Sequence, residues 1–186
     1  MRLVLALALA LAPASDGISA FAGGRVTSPD GKWAVWAMAA DSDTEREAAV
    51  ARLNGPGVRN RELMRFARHI DVIWPQASGQ VLLVQRTAHF SAVYAFTLGA
   101  AELGTDRLQS DIDRGMARGL PRLDSIENRL IGFGRRGAET CVLVEESGFP
   151  PGRREGSFLA RRGAFRLDLA ARRAEPIADC PGARIS

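Results

Sequence analysis

Ser28-Pro29-Asp30-Gly31, followed by Lys32-Trp33-Ala34-Val35-Trp36-Ala37-Met38, is the stretch whose reading decides the fold. Asp-Gly marks a tight turn, because glycine takes the positive φ that such turns need. The run behind it is short, aromatic or β-branched in part, and apolar at successive positions. That pattern suits a strand in the middle of a sheet, covered on both faces. Two later segments repeat the layout. Trp74-Pro75-Gln76-Ala77-Ser78-Gly79 precedes Gln80-Val81-Leu82-Leu83-Val84, and Gly134-Arg135-Arg136-Gly137 precedes Thr140-Cys141-Val142-Leu143-Val144.

A second strand is expected after each run, beyond a polar loop. Residues 93–98 (Val-Tyr-Ala-Phe-Thr-Leu) form one, and residues 165–169 (Phe-Arg-Leu-Asp-Leu) form another. The latter alternates apolar and charged residues, as a half-exposed strand near a sheet edge does. In the first repeat residues 48–53 fill this role, ending at Asn54-Gly55-Pro56-Gly57. Helix over 44–53 is the alternative there, since Ala, Glu and Arg favour one. One helix is predicted near 106–118. Thr105 can cap it, Leu108, Ile112 and Met116 share a stripe, and Gly119 with Pro121 ends it. Gly115 weakens that helix by about 1 kcal/mol relative to Ala. A loose tail is expected after Pro181.

The Ser-Pro-Asp-Gly-Lys turn before a Trp-containing strand resembles the blade repeat of WD40-like and TolB-like β-propellers. Residues 74–80 look like a degenerate copy, and the third copy keeps only its Gly and its strand. The resemblance runs over roughly 25–177 and implies a mainly β fold of propeller-like antiparallel hairpin repeats. Propellers usually close with four to eight blades, whereas this chain has room for about three. An open stack, or a partial propeller completed by a second copy, is therefore expected, with a β-sandwich as the structural alternative. The family implies a binding or scaffolding platform, since propellers carry many unrelated activities.

Ahead of the first repeat, residues 1–14 read as a secretory signal peptide. Arg2 supplies the positive start, and residues 3–12 are an unbroken run of Leu, Val and Ala. Ten helical residues span about 15 Å, half a bilayer's hydrocarbon core, too short for an anchor. Cleavage is expected before Ser15 or, as the alternative, after Ala20. A periplasmic or secreted protein is thus expected, with residues 15–186 forming one β-rich domain. Removing residues 1–14 deletes Arg2 and no acid, lowering the net charge of +4 by one. Such a small surplus, with acids interleaved among the arginines, argues against nucleic-acid binding. Lys32 is the sole lysine, so the pI near 10.0 reflects arginine rather than a large excess of charge.

Cys141 and Cys180 are the two cysteines. An even count in an oxidising compartment predicts a disulfide, the alternative being two free thiols. In the chain-entropy model a loop of about 40 residues makes that bridge worth roughly 4 kcal/mol. Spacings for zinc or redox sites are absent, as are a nucleophile elbow, a zinc-protease helix, a P-loop and a dinucleotide fingerprint. No cofactor or metal is implied. Asp41, Asp43 and Glu45 alternate like cation ligands but lack the Gly and distal Glu of a calcium loop. His69 reads as a half-buried, hydrogen-bonded histidine. A small exported hydrolase with Ser91 as nucleophile and His89 as base is the catalytic alternative.

The leading expectation is a non-catalytic binding or scaffolding module. Its partner would be an envelope protein or an anionic ligand, with assembly as a homo-oligomer a further expectation. Three loops, 40–47, 87–91 and 147–162, would share one edge if the repeats stack in one orientation. They bring the acidic trio, His89 with Phe90, and Phe149 with Arg153 and Arg154. Connecting loops on a rigid sheet are common binding sites. Paired arginines bind carboxylate or phosphate groups, and Pro150-Pro151 limits the entropy lost on binding.

Overall fold

In the computed structural model the described residues are 16–20, 22–39, 49–75, 79–99, 107–136, 139–153, 156 and 158–185. The signal-peptide reading, the acidic trio, Arg154 and the helix cap Thr105 lie outside them. Among the described residues, twelve strands and one helix follow in order. They are β1 (Asp16–Ser19), β2 (Gly24–Thr27), β3 (Ala34–Ala39), β4 (Ala49–Gly55), β5 (Val58–Phe66), β6 (His69–Ile73), β7 (Gln80–Arg86), β8 (Ser91–Thr97), α1 (Arg107–Met116), β9 (Ser125–Arg136), β10 (Glu139–Phe149), β11 (Leu159–Asp168) and β12 (Arg173–Ile177). They form three four-stranded antiparallel sheets, ordered β2-β3-β4-β5, β1-β6-β7-β8 and β12-β11-β10-β9. The fold is mainly β and built of hairpins, as the repeats predict. Residues 49–53 are strand, not helix.

The opening motif works as a self-contained turn between β2 and β3. Ser28 Oγ donates to Asp30 Oδ1 (2.6 Å) and accepts from the Trp33 N–H (3.0 Å). The Lys32 N–H donates to the same carboxylate oxygen (3.1 Å), and Gly31 takes a φ of 70°. The Ser28 hydroxyl and the Lys32 N–H hold the Asp30 carboxyl below the usual aspartate value. Every residue of Ser-Pro-Asp-Gly-Lys except the proline thus has a hydrogen-bonding or conformational reason in this turn.

The sheet containing β7 lies between the other two. Val81 and Leu83 belong to one core with Val35, Ala51, Leu53 and Phe66 of the β2–β5 sheet. Leu82 and Val84 belong to a second core with Ile131, Val142, Val144, Phe165 and α1. Strand side chains alternate faces, so Gln80–Val84 is buried throughout, as expected for a strand covered on both sides. The same expectation fails for β3. Val35 and Ala37 are buried, but Trp36 is half-buried and Met38 is 47% exposed. No sheet covers that outer face among the described residues.

Two glycines correct local readings. Gly134 is not in a turn but inside β9, opposite Cys141. A side chain there would overlap the Pro181 carbonyl, and one at Gly132 would overlap that of Arg184. The chain after Pro181 is therefore not loose. It lies along a side-chain-free stripe of β9, with the Arg135 N–H donating to the Pro181 carbonyl (3.1 Å). The Cys141–Cys180 disulfide, Cα atoms 5.6 Å apart, pins its start. Gly115 has a packing role besides its helix cost. A Cβ there would run into the ring of Phe165, so glycine lets α1 approach β11.

The predicted stripe Leu108, Ile112 and Met116 is wholly buried, and Gly119 ends the helix with a φ of 66°. Helix α1 also closes two sheet edges. Gln109 Oε1 accepts the Val93 N–H of β8 (3.0 Å), and Asp111 Oδ2 accepts the Ala174 N–H of β12 (3.2 Å). These side chains stand in for missing neighbouring strands, which guards against edge-to-edge pairing. No helix among the described residues is long and apolar enough to cross a membrane.

Candidate functional site

Strand β9, not anticipated from the sequence, is where the second and third loops meet. Across the β9–β10 pair, Ser147 faces Asn128 but Gly148 faces Ile126, so Glu127 is an extra, bulged residue. Bulges re-aim side chains near the ends of sheets. Gly148 permits this one, because a Cβ would overlap the Ser125 carbonyl. Beside the bulge, Asp124, Ser125, Glu127, Phe149, Gly152 and Arg153 line a cavity of about 860 Å³. All are exposed except Phe149, which is half-buried.

The turn that presents Arg153 is fixed at three points. The Arg153 N–H donates to the Pro150 carbonyl (3.1 Å), Gly152 has a φ of 73°, and the Gly152 N–H donates to Asp124 Oδ2 (2.6 Å). Pro151 followed by a positive-φ glycine is type II turn chemistry. Asp124 is in turn anchored by its own N–H to the Phe149 carbonyl (3.1 Å), and Arg122 Nε approaches its Oδ1 at 3.7 Å. Ser125 Oγ donates to Glu127 Oε1 (2.9 Å). The Phe149 ring packs on Phe158, centroids 4.6 Å apart and planes tilted by 33°. Phe158 is 52% exposed. The Arg153 guanidinium makes no hydrogen bond or ion pair among the described residues.

His89, in the loop before β8, meets β9 one residue past Glu127. Its Nδ1 is 3.1 Å from Asn128 Oδ1, and its carbonyl accepts the Arg129 N–H (2.8 Å). Its ring therefore braces β9 rather than turning toward Ser91, which is 2% exposed at the start of β8. The neighbouring Phe90 ring lies 4.7 Å from the Arg129 guanidinium. Beneath it, Glu146 is fully buried between two arginines. Its Oε1 accepts from Arg129 (Nε 2.7 Å, a terminal nitrogen 2.5 Å), and its Oε2 from Arg161 (Nε 2.7 Å, a terminal nitrogen 2.6 Å). Arg129 also reaches Asp113 of α1 (2.9 Å). This cluster ties the helix, the 87–90 loop and the third sheet together.

The remaining histidine, His69, is half-buried with Nε2 2.9 Å from Asp71, which Arg86 Nε also holds (2.5 Å). Among the described residues no group of three or more His, Cys, Asp or Glu could hold a metal ion.

Of the residues expected to bind, Arg153 lines the cavity, and His89, in the 87–90 loop, contacts Asn128 of β9 next to Glu127. Asp124, Ser125 and Glu127 were missed. Their one sequence signal is the polar run Asp124-Ser125-Ile126-Glu127-Asn128, lying before an apolar stretch. Comparison of the chain with known protein families, curated proteins and solved structures finds no match.

Proposed function

We propose that the chain is an exported, non-catalytic binding module built of propeller-like sheets, and that its ligand site is the cavity between β9, β10 and the 150–153 turn. One observation carries this reading. Arg153, without a side-chain partner among the described residues and set on a fixed turn, lines the same 860 Å³ space as the aromatic ring of Phe149. Small-ligand sites are typically concave, partly apolar and supplied with a few fixed polar groups, within a range on the order of 300–1,000 Å³. The Cys141–Cys180 disulfide supports an oxidising destination. The self-bonded Ser28–Lys32 turn and the layered four-stranded sheets support the propeller-like reading. A catalytic role for Ser91 and His89 has less support, because one is buried and the other is engaged by Asn128.

The test is a backbone-amide spectrum of the isotope-labelled mature chain, recorded with and without a soluble extract of cell envelopes. Saturable shifts are expected at 124–127 and 149–153. Shifts confined to other parts of the molecule, or none, would remove this cavity as the binding site.

A further inference from the structure

We infer that the cavity takes a neutral, polyhydroxylated ligand, a short glycan, stacked on Phe149 and hydrogen-bonded by Glu127 and Arg153. This rests on the reading of the cavity as the ligand site. It departs from the anionic ligand that Arg153 and Arg154 suggest in sequence, because of what the fold places around Arg153. Two carboxylates, Asp124 and Glu127, line the same space. An anion drawn to the guanidinium would meet them at close range. A cation drawn to the carboxylates would meet Arg153, with Arg122 already beside Asp124. Like charges sharing a site oppose both classes.

A sugar hydroxyl is opposed by neither sign. A guanidinium can only donate and a carboxylate can only accept, whereas a hydroxyl does both. Hydrogen bonds to charged partners are also the stronger kind. Asp124 is committed to the turn through Gly152, and Glu127 Oε1 already accepts from Ser125. Among the described residues, the groups left for a ligand are the Arg153 donors and the second oxygen of Glu127. Phe149, whose ring packs on Phe158, lines the same space. An aromatic face beside separate donors and acceptors matches a ring with an apolar C–H side and a hydroxylated rim. The bulge matters here because it brings Glu127 to the cavity, and Gly148 and Gly152 hold the backbone that makes the arrangement rigid.

The experiment titrates the isotope-labelled chain separately with neutral tetramers of glucose, mannose and N-acetylglucosamine, and with inorganic phosphate, spermidine and dialanine. At least one neutral tetramer is expected to shift the amides of 124–127 and 149–153 saturably, and the three charged probes are not. Arg153→Gln and Glu127→Gln lie on exposed positions and should keep a dispersed spectrum. Each should weaken the sugar about tenfold, or about 1.4 kcal/mol. Sugar binding that both variants leave unchanged overturns the proposal. So does saturable binding of phosphate, spermidine or dialanine with none of the tetramers. If every tetramer fails while envelope extract still shifts these amides, the glycan is overturned and the binding site stands. If extract fails as well, both fall.

Discussion

Replacing Glu146 by Gln should cost the fold about 3–5 kcal/mol, the range for removing one partner of a buried ion pair. The geometry sets the size. Glu146 is fully buried and accepts four N–H bonds at 2.5–2.7 Å, two from each arginine. A Gln has one acceptor oxygen, so one guanidinium must face the new NH₂ group, donor against donor. Arg129 keeps Asp113 and the Phe90 ring. Arg161, whose side chain is 8% exposed, keeps only the Pro121 carbonyl at 3.3 Å among the described residues. Solvent screening gives little relief at such burial, unlike at surface pairs. Urea unfolding would read the loss. With a slope of about 2 kcal/mol per molar, the midpoint should fall by roughly 1.5–2.5 M. A loss under about 1 kcal/mol would refute the reasoning and mean that water or rearrangement satisfies Arg161. Replacing all three residues by apolar ones of similar volume should cost far less than E146Q, since no buried charge is then left unpaired.

Gly115→Ala should destabilise the protein despite the helix gain of about 1 kcal/mol, because the methyl meets the Phe165 ring; a higher melting temperature would refute that packing role. Cys180→Ser should cost about 2–4 kcal/mol and speed amide exchange at 178–185, and unchanged exchange there would show that the glycine stripe alone holds the tail. Asp30 should titrate below ordinary aspartate, and Ser28→Ala should bring it back up, read by carboxyl-carbon chemical shifts. The folded-state value is depressed, so Asp30's contribution is present above the unfolded value and lost as pH falls through the folded one. A titration unmoved by Ser28→Ala would remove the hydroxyl as its cause.

What the sequence discloses here is what is local. The Ser28–Lys32 turn closes on its own side chains, and the Leu108, Ile112 and Met116 stripe needs no knowledge of its target. The two-faced apolar run of β7 reports two coverings without saying which. What stays hidden depends on distant chain. Gly134 looks like turn chemistry, yet it is there for the Pro181 backbone. Strand β1 finds its partner β6 across the whole first repeat. Strand β9 escapes notice because a charged residue, Arg129, occupies an inward position, and Glu127 then breaks the alternation. The partner that justifies Arg129 is Glu146, on the next strand, and no periodicity along β9 can announce it.

The same two departures explain why the candidate site lies where it does. Ion pairing at Arg129 clamps the loop that carries His89 and Phe90 onto the middle of β9. The disulfide and the tail hold the far half of that strand through Gly132 and Gly134. Only the first residues of β9 are left without such a cover, and they are the ones that bulge and line the cavity. An edge strand exposing unpaired backbone is ordinarily a liability, and a bulge with charged residues is one way to blunt it. Asp124, Ser125 and Glu127 answer that need whether or not a ligand comes. Arg153 does not, since its turn could close with any side chain after Gly152. A guanidinium lining the cavity with no partner among the described residues is therefore the feature that edge protection leaves unexplained, and the one on which a binding role rests.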